Sequence, residues 1–342
     1  MSVGDFGDAL KAIVAGRALG ADEAARAFAA IMAGEVSQVR IAAFLTGLAV
    51  RGPSVEEITG AARAMRAAMR KVKAPAGAMD IVGTGGDGHD TFNISTAAAL
   101  TVAACGVPVA KHGNRGASSR TGTADVLERL GVKLDIAPEI AEACLREAGI
   151  CFLFAAAYHS AMKHVAPVRK ELGFRTIFNF LGPLSNPAQV TRYLLGVSAP
   201  EWVEKLAYVL KALGAEKAWV VRGADGLDEM TTTGLTHVAI LEAGRVTLRE
   251  VMPEEIGVSR VPLAALKGGE AQENAAALTA LLDGETGAFR DVVLLNAAAA
   301  LVVADKAADL AAGAKLAAEA IDSGAAKATL ARLAEVSQRP AP

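Results

Sequence analysis

Residues 80–88 read Asp-Ile-Val-Gly-Thr-Gly-Gly-Asp-Gly, and after four more residues the chain continues Asn93-Ile-Ser-Thr-Ala-Ala-Ala-Leu. A short apolar run passes into a glycine-rich loop and then into a helical pattern. This strand-loop-helix unit is the building block of an α/β fold and suits an anion. Glycine lets the backbone come close to a phosphate, and N–H groups at the helix start, beside the Ser95 and Thr96 hydroxyls, can receive its oxygens. Gly83, Gly85 and Gly88 also satisfy the dinucleotide fingerprint GxGxxG, a weak signal alone. We reject it. A dinucleotide loop runs straight into its helix, whereas four extra residues precede Asn93, and the next strand ends in Lys111-His112 where a ribose-binding acid belongs.

Downstream of this unit, apolar runs recur at Val107 to Ala110, Cys151 to Phe154, Tyr193 to Val197, Ala218 to Val221 and His237 to Leu241. Helical patterns separate most of them, so the spacing predicts a largely parallel central sheet covered on both faces. After Glu270 the chain returns to alanine-rich helix to about Glu335. Upstream, residues 5–73 show helical periodicity alone. Ile41, Phe44, Leu45 and Leu48 share one face, and Ile58, Ala61, Ala62, Met65 and Met69 share another. Asp22 and Gly34 bracket one helix, Ser37 and Gly52 the next, and Ser54 with Glu57 spells a capping box. The expected architecture is a small helical domain over residues 1–73, a linker, and a larger α/β domain over 78–342.

The 342 residues are 52% hydrophobic with a formal net charge of −2, enough for two cored domains and no bulk attraction to nucleic acid or anionic lipid. Cys105, Cys144 and Cys151 lack disulfide arithmetic and metal spacing, which suggests a reducing cytoplasm. The N-terminus carries Asp5 and Asp8 and does not read as a signal peptide, so it is expected to open the mature domain. The longest apolar stretches, Thr96 to Ala110 and Val292 to Ala304, fall short of the roughly 18 residues of a membrane span.

A second loop, Lys111-His-Gly-Asn-Arg-Gly-Ala-Ser-Ser-Arg-Thr-Gly-Thr, follows the next strand with cations, hydroxyls and glycines before a helix at Ala124 to Leu130. Lys111 offers a point charge, and Ser118, Ser119 and Thr123 offer neutral donors to phosphate oxygens. Two such loops at neighbouring strand ends converge on one crevice. A third strand end carries Asp225-Gly-Leu-Asp-Glu, whose adjacent Asp228 and Glu229 suit Mg²⁺, an ion that takes one or two carboxylates and fills its sphere with water and substrate phosphate. Alone, such a pair is usually a solvated turn. Beside two phosphate loops it reads as a metal site.

These motifs resemble the anthranilate phosphoribosyltransferase family over essentially the whole chain. The likeness is carried by GTGGD at 83–87, NIST at 93–96, KHGNR at 111–115, VRKELGFRTIFNFLGPLSNP at 168–187 and DGLDE at 225–229. LLNAAAAL at 294–301 and AIDSG at 320–324 extend it. The resemblance implies a fold like that of nucleoside phosphorylases and related phosphoribosyltransferases, with residues of about 166–187 returning to the helical domain and a homodimer formed through it. It implies transfer of the phosphoribosyl group of 5-phosphoribosyl 1-pyrophosphate (PRPP) to anthranilate, with Mg²⁺. By the same resemblance Gly83, Gly86, Asp87, Thr91, Asn93, Ile94, Ser95, Thr96, Lys111, His112, Gly113, Asn114, Arg115, Gly116, Ala117, Ser118, Ser119 and Thr123 line the PRPP site. Ser95, Asp228 and Glu229 serve Mg²⁺. Gly83, Asn114 and Arg169 contact anthranilate, with His112 and His159 bordering its approach. Ser160, Arg222 and Leu235 depart from the family pattern; none removes a charged ligand, and they bear only on the shape of the acceptor channel. Two rivals remain: a nucleoside phosphorylase, disfavoured by the acidic pair, and a nucleic-acid-binding relative, disfavoured by the charge balance. No membrane or nucleic-acid partner is expected.

Overall fold

Apolar spacing in the first 70 residues produces four helices, α1 (Val3–Val14), α2 (Ala21–Met32), α3 (Gln38–Arg51) and α4 (Val55–Ala68). The computed structural model describes residues 3–116 and 120–341. Ile41, Phe44, Leu45 and Leu48 of α3 and Ile58, Ala61 and Ala62 of α4 are buried, as their periodicity predicts. The capping box forms: Glu57 N donates to Ser54 Oγ at 3.2 Å and Ser54 N to Glu57 Oε2 at 2.8 Å. Its Glu57 is itself buried, pairs with Arg51 and accepts from Leu19 N at 2.9 Å. Helix α2 opens at Ala21, with Gly20 rather than the expected Asp22 at the cap and Glu23 reaching back to the Gly20 N–H at 3.0 Å.

The rest alternates strand and helix: β1 (Met79–Gly83), α5 (Ile94–Ala104), β2 (Val109–Gly113), α6 (Thr123–Arg129), α7 (Pro138–Ala148), β3 (Ile150–Phe154) and α8 (Ala155–Tyr158). Then follow α9 (Ala166–Leu172), α10 (Phe178–Leu184), β4 (Arg192–Gly196), α11 (Glu201–Ala212), β5 (Lys217–Gly223), β6 (Thr236–Glu242) and β7 (Arg245–Val251). Helices α12 (Ala271–Leu282), α13 (Ala288–Val303), α14 (Leu310–Asp322) and α15 (Ala325–Ser337) close the chain. The sheet runs β3-β2-β1-β4-β5-β6-β7. Its first five strands are mutually parallel and β6 and β7 antiparallel. Consecutive residues of β3 and β4 are buried, which requires cover on both faces. Strand β7, absent from the sequence reading, is an edge strand with most side chains exposed.

Two placements matter for function. The chain steps outward from β1 to β2 and β3 and then returns to lay β4 on the other side of β1, so a crevice opens at the carboxyl ends of β1 and β4. Across it, α9 packs on α3 and α10 on α4, which brings residues 166–184 against the helical unit. Helix α5 is apolar all round and sits against α13 and α15.

Candidate active site

Strands β1 and β4 pair Gly83 with Gly196, and both glycines are demanded by what crosses above them. A Cβ on Gly83 would lie 2.3 Å from Asp228 Oδ2, and one on Gly196 would lie 1.5 Å from the Asp228 carbonyl oxygen. The loop after β5 therefore rests directly on two strand ends. Asp225 folds it, accepting from Leu227 N at 3.1 Å and from the Thr231 and Thr233 hydroxyls at 2.6 Å each. Asn296 of α13 clamps the next peptide, accepting from Met230 N at 3.0 Å and donating to Met230 O at 2.8 Å. So held, Asp228 Oδ2 accepts from Gly85 N at 2.6 Å and Glu229 Oε1 from Ser95 N at 3.0 Å.

These bonds correct one expectation. The N–H groups at the start of α5 are not free for phosphate: Ile94 N donates to Phe92 O, Thr96 N and Ala97 N to Asn93 O, and Ser95 N to Glu229. A carboxylate already occupies the favourable position at the helix N-terminus. The Ile94 side chain is fully buried behind the loop. Donors open to the cleft must come from the loop and from side chains.

Lys111 also differs from its sequence reading. It is a buried residue of β2 rather than the first residue of a loop offering its charge to phosphate, and its Nζ donates to Ile81 O at 2.7 Å and Ser95 Oγ at 3.3 Å. Burial lowers its pKa, opposed by Asp80, Glu229 and Asp228. Asp80 lies under the same floor, pushed up to about 6 by burial against the pull of Lys111 and of Asn186. It accepts from Asn186 Nδ2 at 2.7 Å and from His112 N at 3.1 Å.

Asp228 and Glu229 are partly open to the cleft. Burial, and then the neighbouring Asp87, raises Asp228 to about 6; burial, and then Asp228 and Asp87, lifts Glu229 well above the usual carboxylate range. Three carboxylates gathered so closely that Asp87 raises Asp228 and both raise Glu229 call for a cation. This oxygen-only donor set fits Mg²⁺, with Ser95 Oγ beside it. No larger set of metal-ligating side chains is gathered among the described residues, so the remaining donors would be water and phosphate.

Thr96 Oγ1 donates to Thr123 Oγ1 at 3.1 Å, joining the first and second loops. The second loop is tied down by Asp125, which accepts from Gly116 N and Gly122 N at 3.0 Å each. Arg115 lines the cleft and forms ion pairs with Asp125 and Glu128, both at 2.9 Å. Asn114 is exposed and lines the cleft, as do Gly113, Gly116, Asp87 and Thr91. Ala117, Ser118 and Ser119 lie outside the described residues.

The opposite wall comes from residues 155–184. His112 Nδ1 donates to Gly182 O at 2.9 Å, so its Nε2 is the lone pair that receives Nε2–H of His159 at 3.2 Å. Burial holds both rings neutral, His112 near pKa 3 and His159 near 4. Arg169 stacks over the Phe178 ring at 5.7 Å, and among the described residues it forms no ion pair to Glu171 or Asp225. Its pKa is lowered by burial and by Arg175. Arg175, which sequence reasoning passed over inside a quoted motif, donates from Nη1 to Gly85 O at 2.8 Å and occupies the space where a Gly86 side chain would stand. Asp80, Asn186, Asp225 and Asn296 were missed too, since only the fold shows that they brace the site. Floor and wall enclose a cleft of about 520 Å³.

A helical bundle and an α/β domain framing such a cleft define a glycosyl transferase: residues 7–69 match the helical bundle domain of the glycosyl transferase family and residues 76–327 its a/b domain. An anthranilate phosphoribosyltransferase of Parvibaculum lavamentivorans is 60% identical over 329 residues, 96% of each chain. The crystal structure of the Thermus thermophilus anthranilate phosphoribosyltransferase superposes with a TM-score of 0.92 at 48% identity, covering 97% of this chain and 100% of that one. The Saccharomyces cerevisiae enzyme in complex with PRPP and Mg gives 0.90 at 27% identity, covering 98% of each. Within the glycosyl transferases, this chain belongs to the anthranilate phosphoribosyltransferase family.

Proposed function

We infer that this chain transfers the phosphoribosyl group of PRPP to the amine of anthranilate, giving N-(5-phosphoribosyl)anthranilate and pyrophosphate, in tryptophan biosynthesis. The observation that carries this is the convergence of two glycine-rich loops and the Asp228–Glu229 pair on one crevice. In the reaction the C1–O bond of ribose breaks with its electron pair going to pyrophosphate, the amine lone pair forms the new C1–N bond, and the now acidic nitrogen gives up one proton to pyrophosphate or water. An aromatic amine is neutral near pH 7, so no strong base is required. What must be stabilised is the charge growing on pyrophosphate. When bound, Mg²⁺ held at Asp228, Glu229 and Ser95 supplies part of that stabilisation. Lys111 adds a buried positive charge beneath the first loop, and Gly83, Gly86, Asp87, Thr91, Asn93 to Thr96, Lys111 to Ser119 and Thr123 position the PRPP. Arg169 offers the acceptor carboxylate a two-pronged donor above Phe178, with Gly83 and Asn114 beside it and the neutral His112–His159 pair at its approach.

The test follows anthranilate fluorescence. It should decay only with both PRPP and Mg²⁺ present and stop on chelation; phosphate-dependent cleavage of a nucleoside instead would move the chain to the phosphorylases. We further propose domains of residues 1–73 and 78–342, with about 166–187 returning to the first, and a cytoplasmic homodimer that binds neither nucleic acid nor membrane. Supporting the dimer, Val39 and Val50 are 80% and 84% exposed and eleven residues apart, on one face of α3. Light scattering on the purified chain checks it. No described helix is long and apolar enough to cross a membrane.

A further inference from the structure

Asn93 stands at the N-cap of α5, where an asparagine usually caps its own helix with the side-chain oxygen, yet it makes no such bond. Its Oδ1 is engaged elsewhere. Asn274 of α12, distant in sequence and 2% exposed, donates from Nδ2 to Asn93 Oδ1 at 2.9 Å. The polarity of this contact follows from a third group. Gly269 N meets the other end of the Asn274 amide at 2.8 Å, and a backbone N–H can only donate. Its partner must therefore be Oδ1 of Asn274, which leaves Nδ2 to face Asn93. That nitrogen in turn requires the Asn93 oxygen, and the Asn93 Nδ2 donor is left over, with Asn93 lining the cleft. No described residue accepts from it. The Asn274 amide lies 2.6 to 2.9 Å from where a Gly268 side chain would be, so the absence of a side chain there lets the amide sit against this turn.

We propose that Asn274 is a positioning residue that sets the polarity of Asn93, turning the Asn93 NH₂ donor toward the phosphate oxygens of PRPP. The role rests on the PRPP site proposed above. Asn274 does not line the cleft and acts through Asn93 alone. A reversed Asn93 would present its oxygen to a polyanion, replacing an attraction with a repulsion.

Asn274→Asp tests this, because a carboxylate still accepts from Gly269 N but obliges Asn93 to donate and so to reverse. Calorimetric titration of Mg²⁺ and PRPP into the enzyme without anthranilate reads the effect directly. Asn93→Ala and Asn274→Asp should each weaken binding roughly 10 to 100 fold, the worth of one hydrogen bond to a charged group. In the double variant the two losses should not multiply, since Asn274 would have nothing left to orient. In kinetics the KM for PRPP should rise more than kcat falls, whereas a merely structural defect would lower kcat and melting temperature without this split. Wild-type affinity in Asn93→Ala would overturn the placement of Asn93 in the PRPP site. Weakened binding in Asn93→Ala beside wild-type affinity in Asn274→Asp, or losses that multiply, would overturn the orienting role and leave the site standing. Should Asn274→Asp not fold, Asn93→Asp keeps the bond to Asn274 Nδ2 and shows the cleft an oxygen. It should bind PRPP at least as poorly as Asn93→Ala, and wild-type binding would refute the proposal.

Discussion

The floor of the cleft and its wall solve different problems. On the floor, Asp80 and Lys111 are buried, Asp228 and Glu229 are half-buried, and together they are held by backbone or amide groups of several elements: Ile81, Gly85, Ser95, Asn186. On the wall, His159, Arg169, Arg175 and Phe178 come from one stretch of chain and meet mostly through ring and guanidinium faces. A polyanion with bound metal needs fixed charge whose reorganisation cost has been met in folding. A flat aromatic acid needs a slot and one directional cation. The contrast teaches that floor substitutions which strand a buried charge should damage folding and PRPP use together, that volume-keeping ones at the half-buried carboxylates should damage turnover with the fold intact, and that those on the wall should damage acceptor use.

The sharpest way to break this division is Asp228→Asn with Glu229→Gln, which keeps volume and removes the metal's carboxylates. Turnover should fall on the order of 10³ fold or more while circular dichroism is unchanged. Mg²⁺-dependent activity at the wild-type level would dissolve the floor as a metal site. Next comes Lys111→Met. It leaves Asp80 buried without its cation, so the urea midpoint should report a loss of about 3 kcal/mol or more, with weaker PRPP binding measured on the folded fraction. A variant as stable as the parent would show that the amide bonds of Asn186 and His112 N suffice for Asp80.

On the wall, Arg169→Ala should raise the KM for anthranilate by roughly 10 to 150 fold and that for PRPP far less. Equal rises would mean that wall and floor are not separable. The smallest effect is one of pH. His112 and His159 have folded pKa values near 3 and 4 against about 6.5 in the unfolded chain, so between those values the unfolded state binds more protons. Their contribution is present above about pH 6.5 and is lost as pH falls, about 1 to 2 kcal/mol by about pH 6 for the pair. His159→Asn should flatten this dependence of the urea midpoint, and an unchanged slope would assign the acid sensitivity elsewhere.

Much of this was legible in the residues because it is local. The capping box at Ser54, the buried faces of α3 and α4 and the glycine-rich turn after β1 each lie within a window of about ten residues, where periodicity speaks. Strand β7 escaped because its alternation is short, Val246 and Leu248 between Arg245, Thr247 and Arg249, as suits an edge strand exposed on both faces. The candidate residues were legible by motif, but not their states. Whether Lys111 faces water or Ile81 O depends on Asp80 and Asn186, which lie 31 residues before it and 75 after it in the chain. The occupied amides of α5 likewise depend on Glu229. Such pairings exist only once the sheet order is known.

The seating of α5 against α13 and α15 has a consequence for the order of events in synthesis. The helix that follows the first phosphate loop is alanine-rich and apolar all round, so it has no side that water can cover while the chain is unfinished. Its partners span residues 288–337, far behind it in the order of synthesis. Until they emerge, the nascent chain carries an exposed apolar segment, a surface for chaperone capture. The first glycine-rich loop gains a rigid base only as α13 and α15 dock on α5. Removal of α15 should thus cost more than one surface helix: it should leave a soluble helical domain attached to an unsettled active site.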